Sequence, residues 1–157
     1  MLIKVWRFVT ILFVVLLLGL AFAHVLERPA KMIYDAALYL TIQKTLYVAW
    51  GPPNIGGILE PAAIFATLLL AFFLRKQKRS CWLTLGAGFT LLLAFPVVFF
   101  VFVAPANEVF SAATPTSIPS NWMESRICWE MGHIIRFVLQ LIALSLLQLS
   151  LFLEINN

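Results

Sequence analysis

Four stretches of this chain, residues 5–25, 57–74, 82–104 and 130–153, are apolar over nearly their whole length. A helix needs about 20 mostly apolar residues to cross a hydrocarbon core, and each stretch meets or approaches that length. The chain is 62% hydrophobic and 11% charged, against roughly 25% charged for soluble domains. The expected fold is therefore all-α: a polytopic membrane four-helix bundle, with residues 1–157 forming one integral membrane domain.

Between the first two spans, Arg28 to Trp50 is too polar to cross and too apolar for a plain loop. Lys31, Asp35, Gln43 and Lys44 interrupt a run carrying Tyr34, Tyr39, Leu40, Tyr47 and Trp50. Aromatic side chains favour the headgroup level, so residues 30–50 are read as an interfacial or re-entrant helix. Gly51-Pro52-Pro53-Asn54 ends it. This helix serves either as a surface anchor or as a lid. The loop from Pro105 to Cys128, with Pro115 and Pro119 and interspersed Ser and Thr, reads as irregular, its far end held at the interface by Trp122 and Trp129.

Orientation follows from the basic residues, since Lys and Arg concentrate in short cytoplasmic loops. Arg75-Lys76-Gln77-Lys78-Arg79 between the second and third spans is the strongest such signal, and Lys4 and Arg7 agree with it. Both ends of the chain then lie in the cytoplasm, as expected for a bacterial inner membrane protein. On that side six basic groups face Glu154, for +5; on the other, five face six acidic groups, for −1, which together give the net +4. The basic balance is thus a topology signal with no implication of nucleic acid. Lys4, Arg7, the apolar run and Ala21-Phe22-Ala23 also imitate a secretory signal. The run is at the long end for one, and cleavage there would leave His24 at a new terminus, so retention is expected.

Cys81 and Cys128 fall at opposite ends of their spans, about 30 Å of hydrocarbon apart. A disulfide needs Cα atoms within about 7 Å, so these two do not pair. Without a Cys-x-x-Cys motif, a quinone-linked thiol oxidoreductase of the four-helix membrane type is disfavoured.

The polar residues that remain are few and patterned. His24-Val-Leu-Glu27 closes the first span and Glu130-Met-Gly-His133 opens the last, in mirrored order. Residues three apart share a helix face, and antiparallel helices would bring the two histidines to one level. Glu60 enters from the second span, Arg136 lies deeper in the fourth, and Gln140 extends the stripe. Ionisable groups inside a membrane are costly and usually face the bundle interior.

Three readings fit this cluster. In the first it is structural, with Arg136 paired to Glu27, Glu60 or Glu130 to tie helices together. In the second it holds iron or another transition metal on His24, Glu27, Glu60, Glu130 and His133, as di-iron bundles do with Glu-x-x-His motifs; a fourth carboxylate is lacking, and Arg136 opposes a cation. In the third it is an acid/base pocket without metal or other cofactor. There His133 acts as base, His24 as second proton carrier and Arg136 as anion stabiliser, with Glu27 and Glu130 orienting the histidines. Proton or ion transport is weaker, since the inner halves offer only Thr10, Gln140, Ser145 and Gln148 as polar steps.

His24-Val-Leu-Glu27-Arg28-Pro29-Ala30-Lys31, Leu46-Tyr47-Val48-Ala49-Trp50-Gly51, Pro105-Ala106-Asn107, Trp122, Arg126 and Trp129-Glu130-Met131-Gly132-His133-Ile134-Ile135-Arg136 together resemble the small four-helix membrane family that includes the fungal anthrone oxygenases. The likeness covers nearly the whole chain, and its best motif is Trp-Glu-x-x-His-x-x-Arg. The resemblance implies oxidation of polyketide anthrones to anthraquinones without an evident cofactor. The resemblance covers Trp129 and Asn107, which join Glu27, Glu60 and Glu130 as supporting groups. The expected partners are the lipid bilayer and a lipophilic small molecule; the non-enzymatic rival is a membrane subunit or lipid-binding module.

Overall fold

The computed structural model describes residues 1–114 and 117–155, without the side chains of residues 154 and 155. Helix α1 spans Leu2–Lys31 and α2 spans Ala36–Ile42; a π-helical turn over Gln43–Tyr47 leads into the short α3, Val48–Trp50. Helix α4 covers Ile55–Phe73 and α5 covers Lys78–Leu92. A wide, kinked passage over Leu93–Val103 then leads into α6, Ala104–Ala112, and the chain ends in α7, Trp122–Ile155. Among the described residues no β-strand forms, only an isolated bridge between Thr114 and Ser117. Leu2–Lys31, Ile55–Phe73, Lys78–Ala112 and Trp122–Leu153 are long and apolar enough to cross a membrane, and the expected all-α bundle is what forms.

Polar and apolar faces are arranged for lipid. Thr10, Thr67, Thr84, Gln140 and Ser150 are fully buried, while Phe8, Phe65, Phe89, Phe100 and Phe152 are exposed. Association between apolar helices in lipid rests on close packing by small residues. Here Ala63, Ala66, Ala71, Ala87 and Ala143 are buried between the helices, with Leu70, Leu74, Leu91 and Leu147 filling the layers around them. Trp6 Nε1 and Thr10 Oγ1 both donate to the Ala66 carbonyl, at 3.0 and 3.2 Å, and tie α1 to α4.

The helices overrun the bounds expected from hydropathy. Helix α1 continues beyond residue 25 through Pro29, which removes one donor but does not stop it. Its C-terminal carbonyls are met from another helix: Arg126 donates to the Lys31 carbonyl at 3.4 Å and to that of Tyr34 at 2.9 Å. A cation is favoured there by the helix dipole. Helix α7 begins at Trp122 instead of residue 130, because residues 122–129 contain neither Pro nor Gly and Glu124 suits a first turn.

The loop expected to be irregular from Pro105 to Cys128 is correspondingly short. Pro105 sits in the first turn of α6, where a missing N–H is harmless, while Pro115 lies outside the described residues. The third span bends at Phe95, whose backbone is extended (φ −149°, ψ 121°) ahead of Pro96, as expected for a residue before proline. This bend turns Phe95 and Phe99 towards the bundle interior, where they line a cavity.

A second polar seam, at the basic-turn end, was not foreseen. Arg7 donates to Ser150 Oγ at 3.1 Å, Ser150 Oγ lies 3.1 Å from Thr84 Oγ1, and it donates to the Ser80 carbonyl at 3.2 Å. The signal was Ser80 and Thr84, four apart and so on one face of α5. Ser145 and Gln148, counted as polar steps for transport, are instead exposed on the outside of α7.

Gly132 on α7 is closely packed against the third span. A Cβ there would stand 2.9 Å from both Phe102 Cβ and Val103 Cγ2, whereas at Gly19 nothing lies within 4 Å. Gly132→Ala is expected to destabilise by about 1 to 3 kcal/mol, and Gly19→Ala to be neutral or to stabilise by up to about 1 kcal/mol. Thermal melts in mild detergent compare the two.

Candidate functional site

The mirrored motifs meet across α1 and α7. His24 and His133 are both buried, and their ring centroids lie 4.1 Å apart. Trp129 packs on His133 in a tilted arrangement with centroids 3.9 Å apart and meets His24 edge-on at 5.0 Å. From the segment between the first two spans, Tyr47 and Trp50 close on His24 at 4.8 and 5.4 Å. Trp129, expected to anchor a loop end at the interface, is instead buried in this box. Its indole N–H donates to Asn107 Oδ1 at 2.9 Å, which satisfies its polar end.

Backbone geometry fixes the form of His133. Its Nδ1 lies 2.9 Å from the Trp129 carbonyl, one turn earlier on α7. A carbonyl only accepts, so neutral His133 carries its proton on Nδ1 and keeps a lone pair on Nε2. That lone pair faces Arg136 Nη1 at 3.5 Å. His24 Nδ1 is buried with no hydrogen-bond partner among the described residues.

The glutamates do not orient the histidines as expected, because cations and phenols engage them first. Glu130, 1% exposed, pairs with Lys31 Nζ at 3.1 Å and accepts from the Tyr39 hydroxyl at 3.1 Å. Glu27 lies 4.0 Å from Lys31 and accepts from the Tyr47 hydroxyl. Glu60 pairs with Arg136, one of the three partners the sequence allowed.

Lys31 is the functional neighbour that sequence reasoning missed. It is buried over the rings of Tyr47 and Trp129, at 4.9 and 4.7 Å. The available signal was its spacing of four from Glu27, which places both on one helix face.

The donors therefore separate into pairs. Among the described residues no group of three or more His, Cys, Asp and Glu side chains could hold a metal ion. Glu60 and Glu130 are buried against cations, so the alternative ligand set of His24, Glu27, Glu60, Glu130 and His133 does not converge. Cys81 and Cys128 are both free thiols.

A cavity of about 510 Å³ lies beside the histidines. Leu17, Leu20, Phe95, Phe99 and Val103 give it apolar walls; His24, His133, Arg136 and Glu60 line one polar side, and Gln140 the deeper end. Trp129 and Asn107 also reach it, whereas Glu27 and Glu130 are absent from its lining. Gln43, Lys44, Tyr47 and Trp50 roof it, so the segment read as anchor or lid covers the polar cluster.

Most of the roof's inner residues come from the π-helical turn, a departure from α geometry often found at functional sites. Lys44 Nζ donates to the carbonyls of Ser111 (3.1 Å) and Ala113, pinning the roof to the end of α6. Burial pushes the Tyr39 phenol above its ordinary range, and the Glu130 charge adds to this. Burial raises Tyr47 likewise, helped by its hydrogen bond to Glu27.

Comparison with protein-family models, curated proteins and solved structures finds no match.

Two tests follow from these partners. Lys31→Met leaves Glu130 as a buried, unpaired carboxylate and is expected to cost about 3 to 5 kcal/mol, most of which Glu130→Gln in the same chain recovers; melting of the single and double variants decides it. Tyr39 and Tyr47 have folded values raised above the usual 10. The stability they contribute is complete below pH 10 and is lost as pH rises beyond it. Phenolate absorbance of these two residues is expected to appear only with unfolding, and Phe substitutions identify their share of the signal.

Proposed function

We propose that this integral membrane protein binds a lipophilic hydroxyaromatic in the cavity and oxidises it in the manner of the anthrone oxygenases it resembles. The observation that carries the reading is the state of His133. Its Nδ1 proton is committed to the Trp129 carbonyl, which leaves Nε2 as a base at the wall of an apolar cavity. The basic turn over residues 75–79 supports placing both chain ends in the cytoplasm, with the cavity in the outer half of the bilayer.

In this scheme His133 Nε2 takes a proton from the acidic ring methylene of the substrate. Arg136 is held by Glu60 through Nη2, and its Nη1, 3.5 Å from that nitrogen, donates a hydrogen bond to the enolate that forms, a contact strengthened by the low dielectric. The carbanion transfers two electrons to dioxygen as a carbon–oxygen bond forms, and the peroxide anion takes back the proton held on His133 Nε2, giving a hydroperoxide and freeing the base. Loss of the second methylene proton, with departure of hydroxide, breaks the oxygen–oxygen bond and leaves a carbonyl. The freed His133 takes that second proton, and His24, whose ring is 4.1 Å from that of His133, relays it to the hydroxide to give water. The balance is CH₂ plus O₂ to C=O plus water.

The Arg136–Glu60 and Lys31–Glu130 pairs favour a second reading, in which the cluster only fixes helix packing in a non-enzymatic subunit or lipid-binding module. Oxygen uptake with anthrone as substrate separates the two. His133→Gln is expected to lower turnover by about 10²- to 10⁴-fold while the melting midpoint moves by only a few degrees. Absence of uptake by the native protein, together with a large loss of stability in the variant, would leave the structural reading alone.

A further inference from the structure

Gln140 lies at the deep end of the cavity and is fully buried. Neither its amide nitrogen nor its amide oxygen has a hydrogen-bond partner among the described residues. Buried carboxamides are normally satisfied, and an unmade donor or acceptor carries a desolvation penalty. A side chain of this kind, aimed into a cavity, marks where a ligand's polar group belongs. At the other end His24 Nδ1 and, in the roof, Gln43 Nε2 are buried without a hydrogen-bond partner among the described residues.

The two ends set a length and a charge. His133 and Gln140 are seven residues apart on α7, about 10 Å along the helix axis at 1.5 Å per residue. Between them the opposite wall is apolar, built from Leu17, Phe95 and Phe99. Arg136, the cavity cation nearest Gln140 in sequence, is already balanced by Glu60, so an ionised ligand group beside Gln140 would meet no uncompensated charge on α7. An uncharged carboxamide both donates and accepts, which suits a hydroxyl or a carbonyl.

We propose that the cavity selects a neutral, elongated molecule with a rigid apolar body and a hydrogen-bonding oxygen at each end. One oxygen meets the histidine pair and the other meets Gln140, about 10 Å deeper. This inference rests on reading the cavity as a hydroxyaromatic site, and it makes Gln140 the residue that determines specificity for the far end of the ligand.

The test uses the full chain in mild detergent and two neutral phenols, 4,4′-dihydroxybiphenyl and 4-hydroxybiphenyl, which differ only in the far oxygen. Trp50 and Trp129 line the cavity, so saturable quenching of tryptophan fluorescence reports binding. The diphenol is expected to bind the native protein about tenfold more tightly, as one hydrogen bond to an otherwise unsatisfied buried group warrants. In Gln140→Leu the two phenols are expected to bind within twofold of each other.

Equal affinities in the native protein would overturn the inference while leaving the hydroxyaromatic site in place. So would a tenfold preference that survives in Gln140→Leu. Failure of both phenols to bind the native protein would remove the site reading itself, and this inference with it. The native comparison needs no variant, so the test does not depend on Gln140→Leu folding.

Discussion

Burying a carboxylate inside a helix bundle costs several kcal/mol unless a cation meets it, and among the described residues two are buried. Glu130 is met by Lys31 and Glu60 by Arg136, each across a helix–helix contact. The first pair joins α1 to α7 and the second joins α4 to α7, so α7 is tied to two other spans in the region of the histidines. Breaking either pair leaves a charge in a place without water, and that gives the bundle a definite register where apolar packing alone is permissive. The candidate site is built around these two contacts.

Their chemical consequence is subtraction. With Glu60 and Glu130 committed to cations, and Glu27 to Lys31 and Tyr47, the carboxylates stop being ligands or bases. The two histidines and Gln140 are among the uncharged polar groups that face the cavity, with Gln43 in its roof, and one of the histidines has its tautomer set by a backbone carbonyl. The roof depends on the same contacts, since Tyr47 and Tyr39 reach down to Glu27 and Glu130. The Tyr39–Glu130 contact is fully buried, whereas the Glu27 side chain that accepts from Tyr47 is 36% exposed.

Much of this was legible in the sequence, for identifiable reasons. The four spans follow from apolar length, and the meeting of His24 with His133 follows from mirrored three-residue spacing at equal depth on antiparallel helices. The partners of the glutamates were not legible. A three-residue spacing shows that Glu130 and His133 share a face, but not that Lys31 arrives from another helix and engages the carboxylate first.

Trp129 was misplaced because tryptophans at span ends favour interfaces, and only the contact with Asn107 shows why this one is buried. The polar seam of Arg7, Ser80, Thr84 and Ser150 escaped because single hydroxyls barely alter hydropathy, and their convergence depends on helix rotation. Helix ends were underestimated for a related reason: hydropathy marks the lipid-facing stretch, while α1 and α7 are extended by polar contacts between themselves, Arg126 on the Lys31 carbonyl among them.

The central claim, that cations rather than metal neutralise the buried carboxylates, is tested most directly by elemental analysis. The protein would be purified in mild detergent without chelator, exposed to ferrous iron, zinc, copper and manganese, desalted and measured by plasma mass spectrometry. The account predicts metal well below one equivalent, unchanged in His24→Ala and His133→Ala variants. Near-stoichiometric metal that disappears in either variant would contradict it and return Glu27, Glu60 and Glu130 to the role of ligands.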